Sequence, residues 1–570
     1  MDDRLDARCR SDAIRTLADT GGTRAPLDVL VVGGGITGAG VAVDAASRGL
    51  DVGIVEMGDW ASGTSSRSSN LVHGGLRYLR MFDFRLVWEA LGERELLLQT
   101  TAPHLVRPQP FLFPLRHRFW QRWVIGAGVA LYDLMATIRR GKRTMPMHRH
   151  LSRRSLVRRL PSIRRSRFIG AIEYWDATID DVAMVIALIR TAVGHGATAV
   201  SRVKVVGVTL DDTGRVNGVT ACDLLTGTEF AILARNVIVA AGVWTEDAET
   251  VLGDRRPLRL RMSKGVHISV DRGCIDGDAA IIHQTEDSVL FLIPSRDIWV
   301  IGTTDTPWDA GAGGAVRADR SDVDYLIAAA NEILDRPITR GDVRSVWAGL
   351  RPLLRGGLQA DGTPSRVSRE HTVASVVPGV TAVAGGKLTT YRVMAEDTVD
   401  LVLGSRARSL PSVTNRVVVV GSDGLGDPQH TADQVIREHG WDTHVADRLS
   451  RRFGSRLKEI DDLCTEEPDL AKPLSDAPEH VRAEVIHAVL FEGALSLEDV
   501  MWRRMRISRE LPDLGSSAAG EVAELLGRCL GWDEAERRTK VRQYLSSIPS
   551  ELGCLGPDSV EDPSNEQGAM

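Results

Sequence analysis

Cysteine is scarce in this chain and widely scattered. Cys9, Cys222, Cys274, Cys464, Cys529 and Cys554 form no CxxC pair and no short spacing, which argues against a metal site or a disulfide scaffold and for reduced structural thiols in a cytoplasmic protein. Long apolar runs are also missing. The longest, Trp123 to Ile138, contains Asp133 and two glycines and falls short of the ~20 residues that a bilayer crossing needs. Residues 1–25 are polar, lack an apolar core of signal-peptide length, and are expected to form a flexible extension. A net charge of −6 gives no general attraction to nucleic acid. One basic run, Arg139 to Arg167, has twelve Lys or Arg and no acid. It lacks the interleaved aromatics on which bases stack, so no nucleic-acid partner is expected.

At 570 residues the chain is too long for a single core and suggests about three domains. The stretch Asp28 to Glu56 organises it. Asp28-Val-Leu-Val-Val32 reads as a short buried strand. Gly33, Gly35 and Gly38 fit a tight strand-to-helix turn with bare amides, and Ile36 and Thr37 open the helix. A second strand ends at Glu56, placed to accept from ribose hydroxyls and to disfavour a 2′-phosphate. The pattern points to a dinucleotide without separating NAD from FAD.

Further along, Thr64-Ser65-Ser66-Arg67-Ser68-Ser69-Asn70 runs into His73-Gly74-Gly75, a loop that closes over phosphates or serves as a plain linker. A helix is expected from Leu76 to Gln99. Asn236 to Gly242 reads as another buried strand ending at glycine, where a nucleotide approaches closely. Residues 262–309 alternate apolar strands and turns, predicting a mostly antiparallel layer that contains Lys264 and His267. Val380 to Arg392 repeats the opening logic, with Gly386, Lys387, Leu388 and Thr389 at a second strand-to-helix turn. A lysine in a first helical turn opposes the helix dipole and calls for an anionic partner. Residues 111–167 combine an aromatic and apolar run with basic ends, the pattern of a segment lying on an anionic lipid surface.

Together Thr64 to Tyr78, Ser263-Lys-Gly-Val-His267, Ile301-Gly-Thr-Thr-Asp305, Ala348-Gly-Leu-Arg351-Pro and Gly385-Gly-Lys387-Leu-Thr-Thr-Tyr resemble the FAD-dependent glycerol-3-phosphate dehydrogenase family over about residues 26–403. The C-terminal part resembles that family's end domain. The resemblance implies non-covalent FAD, oxidation of sn-glycerol 3-phosphate to dihydroxyacetone phosphate, and reoxidation by membrane quinone. It carries substrate contacts onto Arg77, Tyr78, His267, Arg351, Arg369 and Lys387. One departure is Arg80, where the family commonly has Glu.

In chemical terms, Arg351 and Arg369 suit a phosphate dianion and His267 is the candidate base for the C2 hydroxyl. Arg77 would steady the alkoxide, and Lys387 the negative charge that the reduced flavin acquires. Cofactor contacts are expected from Gly33, Gly35, Ile36, Thr37, Gly38, Glu56, Thr64, Ser65, Ser66, Ser69, His73, Gly74, Gly75, Gly242, Gly386, Lys387, Leu388 and Thr389.

The expected architecture is α/β. A Rossmann-type FAD-binding domain (26–260 and 361–403) carries a basic membrane-facing insertion at about 111–167. An antiparallel β-sheet cap (261–360) binds substrate, a helical domain follows (404–550), and 551–570 form a disordered tail. The protein is expected in the cytoplasm, peripheral on the membrane, and a homodimer is compatible with the pattern. Rival readings are an oxidase of the same substrate that uses O₂, and an FAD amine or amino-acid oxidase, whose substrates require fewer cations.

Overall fold

The computed structural model describes all residues except 1–2, 80–82, 118–119, 141–143, 254–257, 259, 286–288, 313–315, 355–370, 425–427 and 556–570. Arg80 and Arg369 therefore lie outside the described residues, as do the side chains of Arg77 and Tyr78.

Strand Val29–Val32 sits inside a six-stranded sheet. The order is His371–Val377, Val380–Gly385, Val237–Val239, Val29–Val32, Val52–Glu56, Thr198–Ser201. The inner pairings are parallel, and only the edge hairpin of His371–Val377 with Val380–Gly385 is antiparallel. Parallel strands must be covered on both faces, and the strand alternation provides for this. Val29 and Val31 join the helices Ile36–Ser47, Asp181–Gly194 and Tyr391–Leu403 in one core. Leu30 faces a second core built with a three-stranded sheet.

That second core corrects the expectation of a mobile N-terminus. Residues Ala7–Ala18 form a helix capped by Asp6, with Leu17 fully buried. Arg10 pairs with Asp223 and donates from Nε to the Ser201 carbonyl at 3.0 Å. The segment reads as polar because only its narrow inner stripe is apolar.

The second layer is a mixed ten-stranded sheet. Leu260–Asp271 lies antiparallel to Val343–Leu354 on one side and to Ile298–Gly302 on the other. Its far half is built by Val106–Leu115 and Gly170–Ile179, so the cap is not confined to 261–360. This also corrects the reading of 111–167 as one membrane-facing insertion. Phe111 and Leu112 are buried strand residues. Two arginines of the basic run are spent on carboxylates of this chain, Arg159 on Glu173 and Arg167 on Glu332. The helix expected from Leu76 to Gln99 is divided into Leu76–Leu79 and Phe84–Leu96, the latter continuing as a π turn, Leu97–Thr101.

The helical C-terminal domain has its own core around Leu449, Ile460 and Leu526. It is bolted to the nucleotide half by buried ion pairs. Arg503 and Arg504 both hold Asp59, at 2.6 and 2.7 Å, and Arg506 holds Asp180 at 2.7 Å and also Asp181. Breaking such a pair strands a buried charge. Of the expected disordered tail, Glu551 and Leu552 finish the helix Glu534–Leu552 and Gly553–Leu555 form a 3-10 turn. Cys554 and Leu555 pack against the cap core.

His104, buried at the same junction, shares a 2.5 Å hydrogen bond between Nδ1 and Ser422 Oγ. Burial brings its pKa down from 6.5 to about 3. The unfolded imidazole takes up a proton near 6.5 and the folded one only near 3, so stability is whole above that window and declines as pH falls through it. The expected loss from this group is about 2 kcal/mol at pH 5. Thermal melts of His104→Gln should depend less steeply on pH between 5 and 7 than those of the parent; parallel curves would refute the assignment.

Candidate active site

A cavity of about 870 Å³ opens at the carboxyl ends of the parallel strands, where open α/β sheets take their ligands. Gly33 and Gly35 line it at the strand-to-helix turn, with Ile36 and Thr37 behind them. Gly33 has φ +116°, and a side chain on it would meet the Ala240 carbonyl at 2.5 Å. Thr64 and Ser65 form the adjoining wall, and Ser65 Oγ accepts from the Ile36 amide at 3.0 Å. Gly242, Gly386, Lys387 and Leu388 line it as well.

Glu56 lines the cavity too, but its carboxylate first holds its own turn. Its two oxygens accept from the Gly34 and Gly58 amides, each at 2.6 Å. Burial raises its pKa against the pull of those amides, and each oxygen keeps a lone pair for a ribose hydroxyl.

Other predicted cofactor contacts stand one step back from the cavity lining. Gly38 lies in helix Ile36–Ser47, where a Cβ would meet the Gly33 carbonyl oxygen at 1.8 Å, so its role is close helix-to-turn packing. Ser66 and Ser69 turn toward other partners. The His73 amide donates to Thr389 Oγ1 at 3.3 Å, which ties the two predicted loops together. The Gly74 amide donates to Tyr132 Oη at 2.8 Å, and Tyr132 Oη donates to buried Asp176 at 2.7 Å. Gly75, at φ +77°, follows in the same loop.

The substrate side is built on the paired strands Leu260–Asp271 and Val343–Leu354. Their register sets His267 opposite Trp347 and Ser263 opposite Arg351. The His267 ring stacks on Trp347, with centroids 5.4 Å apart and planes at 7°. Its Nε2 shares a 2.8 Å hydrogen bond with Ser69 Oγ. Burial first, then the charges of Arg351 and Arg509, lower its pKa from 6.5 to about 3, so the imidazole is neutral. Gly302 makes room for it, since a Cβ there would stand 2.3 Å from His267 Cδ2.

The Arg351 guanidinium donates to Thr303 Oγ1 at 2.9 Å and to the Thr304 carbonyl at 3.1 Å, with Asp305 at 3.3 Å. Lys264, by contrast, is spent on Asp319 and Asp322, the latter at 2.7 Å.

Of the predicted substrate residues, the structure brings His267 and Arg351 together, and Lys387 lines the cavity, as does Pro352, the next residue after Arg351. Arg369 and the side chains of Arg77 and Tyr78 are outside the described set. Sequence reasoning placed Ser62 in the phosphate-closing loop but missed Val205 and Trp244, which line the cavity, and Trp347 and Arg509 beside His267. Trp244 follows directly on the glycine that ends a predicted strand, the one local signal among these.

The bare amides, the helix N-terminus and the size of the cavity fit a flavin dinucleotide. The fold and cavity define an FAD-dependent oxidoreductase. Residues 28–392 match the family model described as FAD dependent oxidoreductase, and residues 412–537 match the C-terminal domain of alpha-glycerophosphate oxidase. The chain is 43% identical over 535 residues to glycerol-3-phosphate dehydrogenase 2 of Mycobacterium bovis, covering 94% of this chain and 90% of that one. It is 32% identical over 565 residues to the mitochondrial glycerol-3-phosphate dehydrogenase of Bos taurus, covering 95% and 75%. The FAD-complexed glycerol-3-phosphate dehydrogenase of Bacillus halodurans superposes with a TM-score of 0.77 at 28% identity, covering 97% of this chain and 99% of that one. The chain belongs to the FAD-dependent glycerol-3-phosphate dehydrogenase family.

Proposed function

We propose that this enzyme oxidises sn-glycerol 3-phosphate to dihydroxyacetone phosphate and passes the electrons to membrane quinone. The observation that carries the reading is the neutral, buried His267 beside the Arg351 guanidinium, on paired strands whose Pro352 lines the flavin cavity. FAD, when bound, would supply a two-electron hydride acceptor for the C2 hydrogen. Arg351 and Arg369 are assigned the phosphate, through charge-assisted hydrogen bonds; Arg77 is assigned the forming alkoxide and Tyr78 a substrate contact. His267 takes the proton from the C2 hydroxyl. The dianion offsets the positive charges that depress His267, so its imidazole becomes a stronger base once substrate is bound. Lys387 supplies positive charge at the cofactor end.

The purified yellow protein is expected to bleach when mixed anaerobically with glycerol 3-phosphate. An unchanged flavin spectrum would remove the substrate assignment. Adding quinone or O₂ to the reduced protein then separates dehydrogenase from oxidase, because an oxidase yields stoichiometric peroxide.

Peripheral docking on an anionic membrane at the cytoplasmic face is supported by helix Trp120–Arg140. One flank exposes Trp120 (78%), Trp123 (75%), Val124, Leu131, Leu134 and Ile138, while Val129, Tyr132 and Met135 face inward. Among the described residues no helix is long and apolar enough to cross a membrane, so this face would lie in the interface. Replacing both Trp120 and Trp123 by Ser is expected to weaken binding to anionic vesicles about tenfold and to leave flavin bleaching intact. Equal vesicle binding would refute the docking face.

A further inference from the structure

We infer that the C-terminal domain contributes a positioning residue to the reaction site, Arg509, which holds the Trp347 ring and the backbone of the turn that leads to Ser69, the two supports of the His267 imidazole. The inference rests on the reading of His267 as proton acceptor. Arg503, Arg504, Arg506 and Arg509 lie in one short stretch, and the first three are spent on Asp59, Asp180, Asp181 and Asp499. Arg509 differs. It is 5% exposed, and among the described residues no carboxylate lies within ion-pairing distance of it. A buried guanidinium without a carboxylate is costly, so a residue with a purely space-filling role would be apolar.

What Arg509 touches explains its charge. Its guanidinium carbon stands 4.5 Å from the centroid of the Trp347 ring, a cation–π contact. Its Nη2 donates to the Ser66 carbonyl. Both contacts lead to His267. Trp347 is the ring against which the imidazole stacks, and Ser66 ends the 3-10 turn Thr64–Ser66, three residues before the Ser69 hydroxyl that bonds Nε2. The backbone anchors the arginine from behind, because the Arg509 carbonyl accepts from buried Ser269 Oγ at 3.0 Å.

Among the described residues, the charged groups that act on the imidazole are Arg351 from the neighbouring strand and Arg509 from the C-terminal domain. Those around Arg509 are Arg506, Asp181, Arg67 and Asp180, and burial, then Arg506, draws its pKa down. The C-terminal domain thus reaches the proton-transfer residue through one planar side chain.

The test uses the full-length FAD-loaded enzyme and its variants Arg509→Met, Arg509→Lys and His267→Gln, mixed anaerobically with sn-glycerol 3-phosphate. Arg509→Met should lower the limiting rate of flavin reduction about tenfold or more, with half-saturation shifted by less than about threefold. Arg509→Lys should recover only part of the rate, because an ammonium keeps the charge and loses the planar fork. In the His267→Gln background, Arg509→Met should cost little, since residues that act as a unit are not additive. Losses that multiply would overturn the proposal.

A second measurement is independent of the chemistry. With histidine carbon-labelled at Cε1, the His267 resonance is assigned by its disappearance in His267→Gln. It should move in both Arg509 variants at unchanged FAD content, as the Trp347 ring shifts over the imidazole. A resonance that coincides with the parent's overturns the proposal whatever His267 does. If His267→Gln leaves flavin reduction unchanged, the base reading falls while the resonance still decides the role of Arg509.

Discussion

His267→Ala is expected to slow anaerobic flavin reduction by about 10²- to 10⁴-fold, the usual cost of losing a general base, while the protein stays yellow. The side chain touches Ser69 and Trp347 and is absent from the wall of the flavin cavity, so cofactor binding has little reason to change. Substrate affinity should fall far less than the rate, because the phosphate is assigned to the arginines. Stopped-flow measurement of the 450 nm band, at several substrate concentrations, separates the two. Reduction at the parent's rate would hand the base role to another group.

The same experiment has a structural control. A Cβ at residue 302 would stand 2.3 Å from the imidazole, so Gly302→Ala should reproduce much of the rate loss with His267 still present.

Gly38→Ala is expected to weaken FAD binding by about ten- to a hundredfold, from ~1–3 kcal/mol of forced misfit at a packed position. The added methyl would sit 1.8 Å from the Gly33 carbonyl oxygen, and backbone cannot step aside as a flexible side chain can. The turn would have to open, which spreads the amides that receive the diphosphate. Equilibrium titration of the flavin-free protein with FAD reads this directly. An unchanged dissociation constant would mean that the helix N-terminus does not need to approach so closely.

The nucleotide end of this site was legible in the sequence because its demands are local. Gly33, Gly35 and Glu56 are dictated by the chain within a single βαβ unit, and all three line the cavity. Gly38 belongs to the same motif but acts one layer back. His267 and Arg351 were legible through family resemblance alone. Their meeting depends on strand pairing between distant segments, which no local pattern encodes.

Trp347 and Arg509 were invisible for the same reason in stronger form, since Arg509 reaches Ser66 across 443 positions. The basic run was legible only in part, because composition reveals charge but not partners. Arg159 and Arg167 found Glu173 and Glu332, while Arg149, Arg153, Arg154, Arg158 and Arg165 stay exposed and helix Trp120–Arg140 keeps an apolar outer flank. The N-terminal helix misled because one buried leucine is enough to dock a short polar segment when Asp6 and Arg10 supply the polar anchoring.

The strand order of the parallel sheet bears on how the chain comes off the ribosome. Val29–Val32 is the first strand made, yet its neighbour on one side is Val237–Val239 and the next beyond is Val380–Gly385. Nascent chains released before Leu388 lack one wall of the cavity and cannot retain the flavin. The yellow colour should therefore arise late in synthesis, after the distant strands arrive.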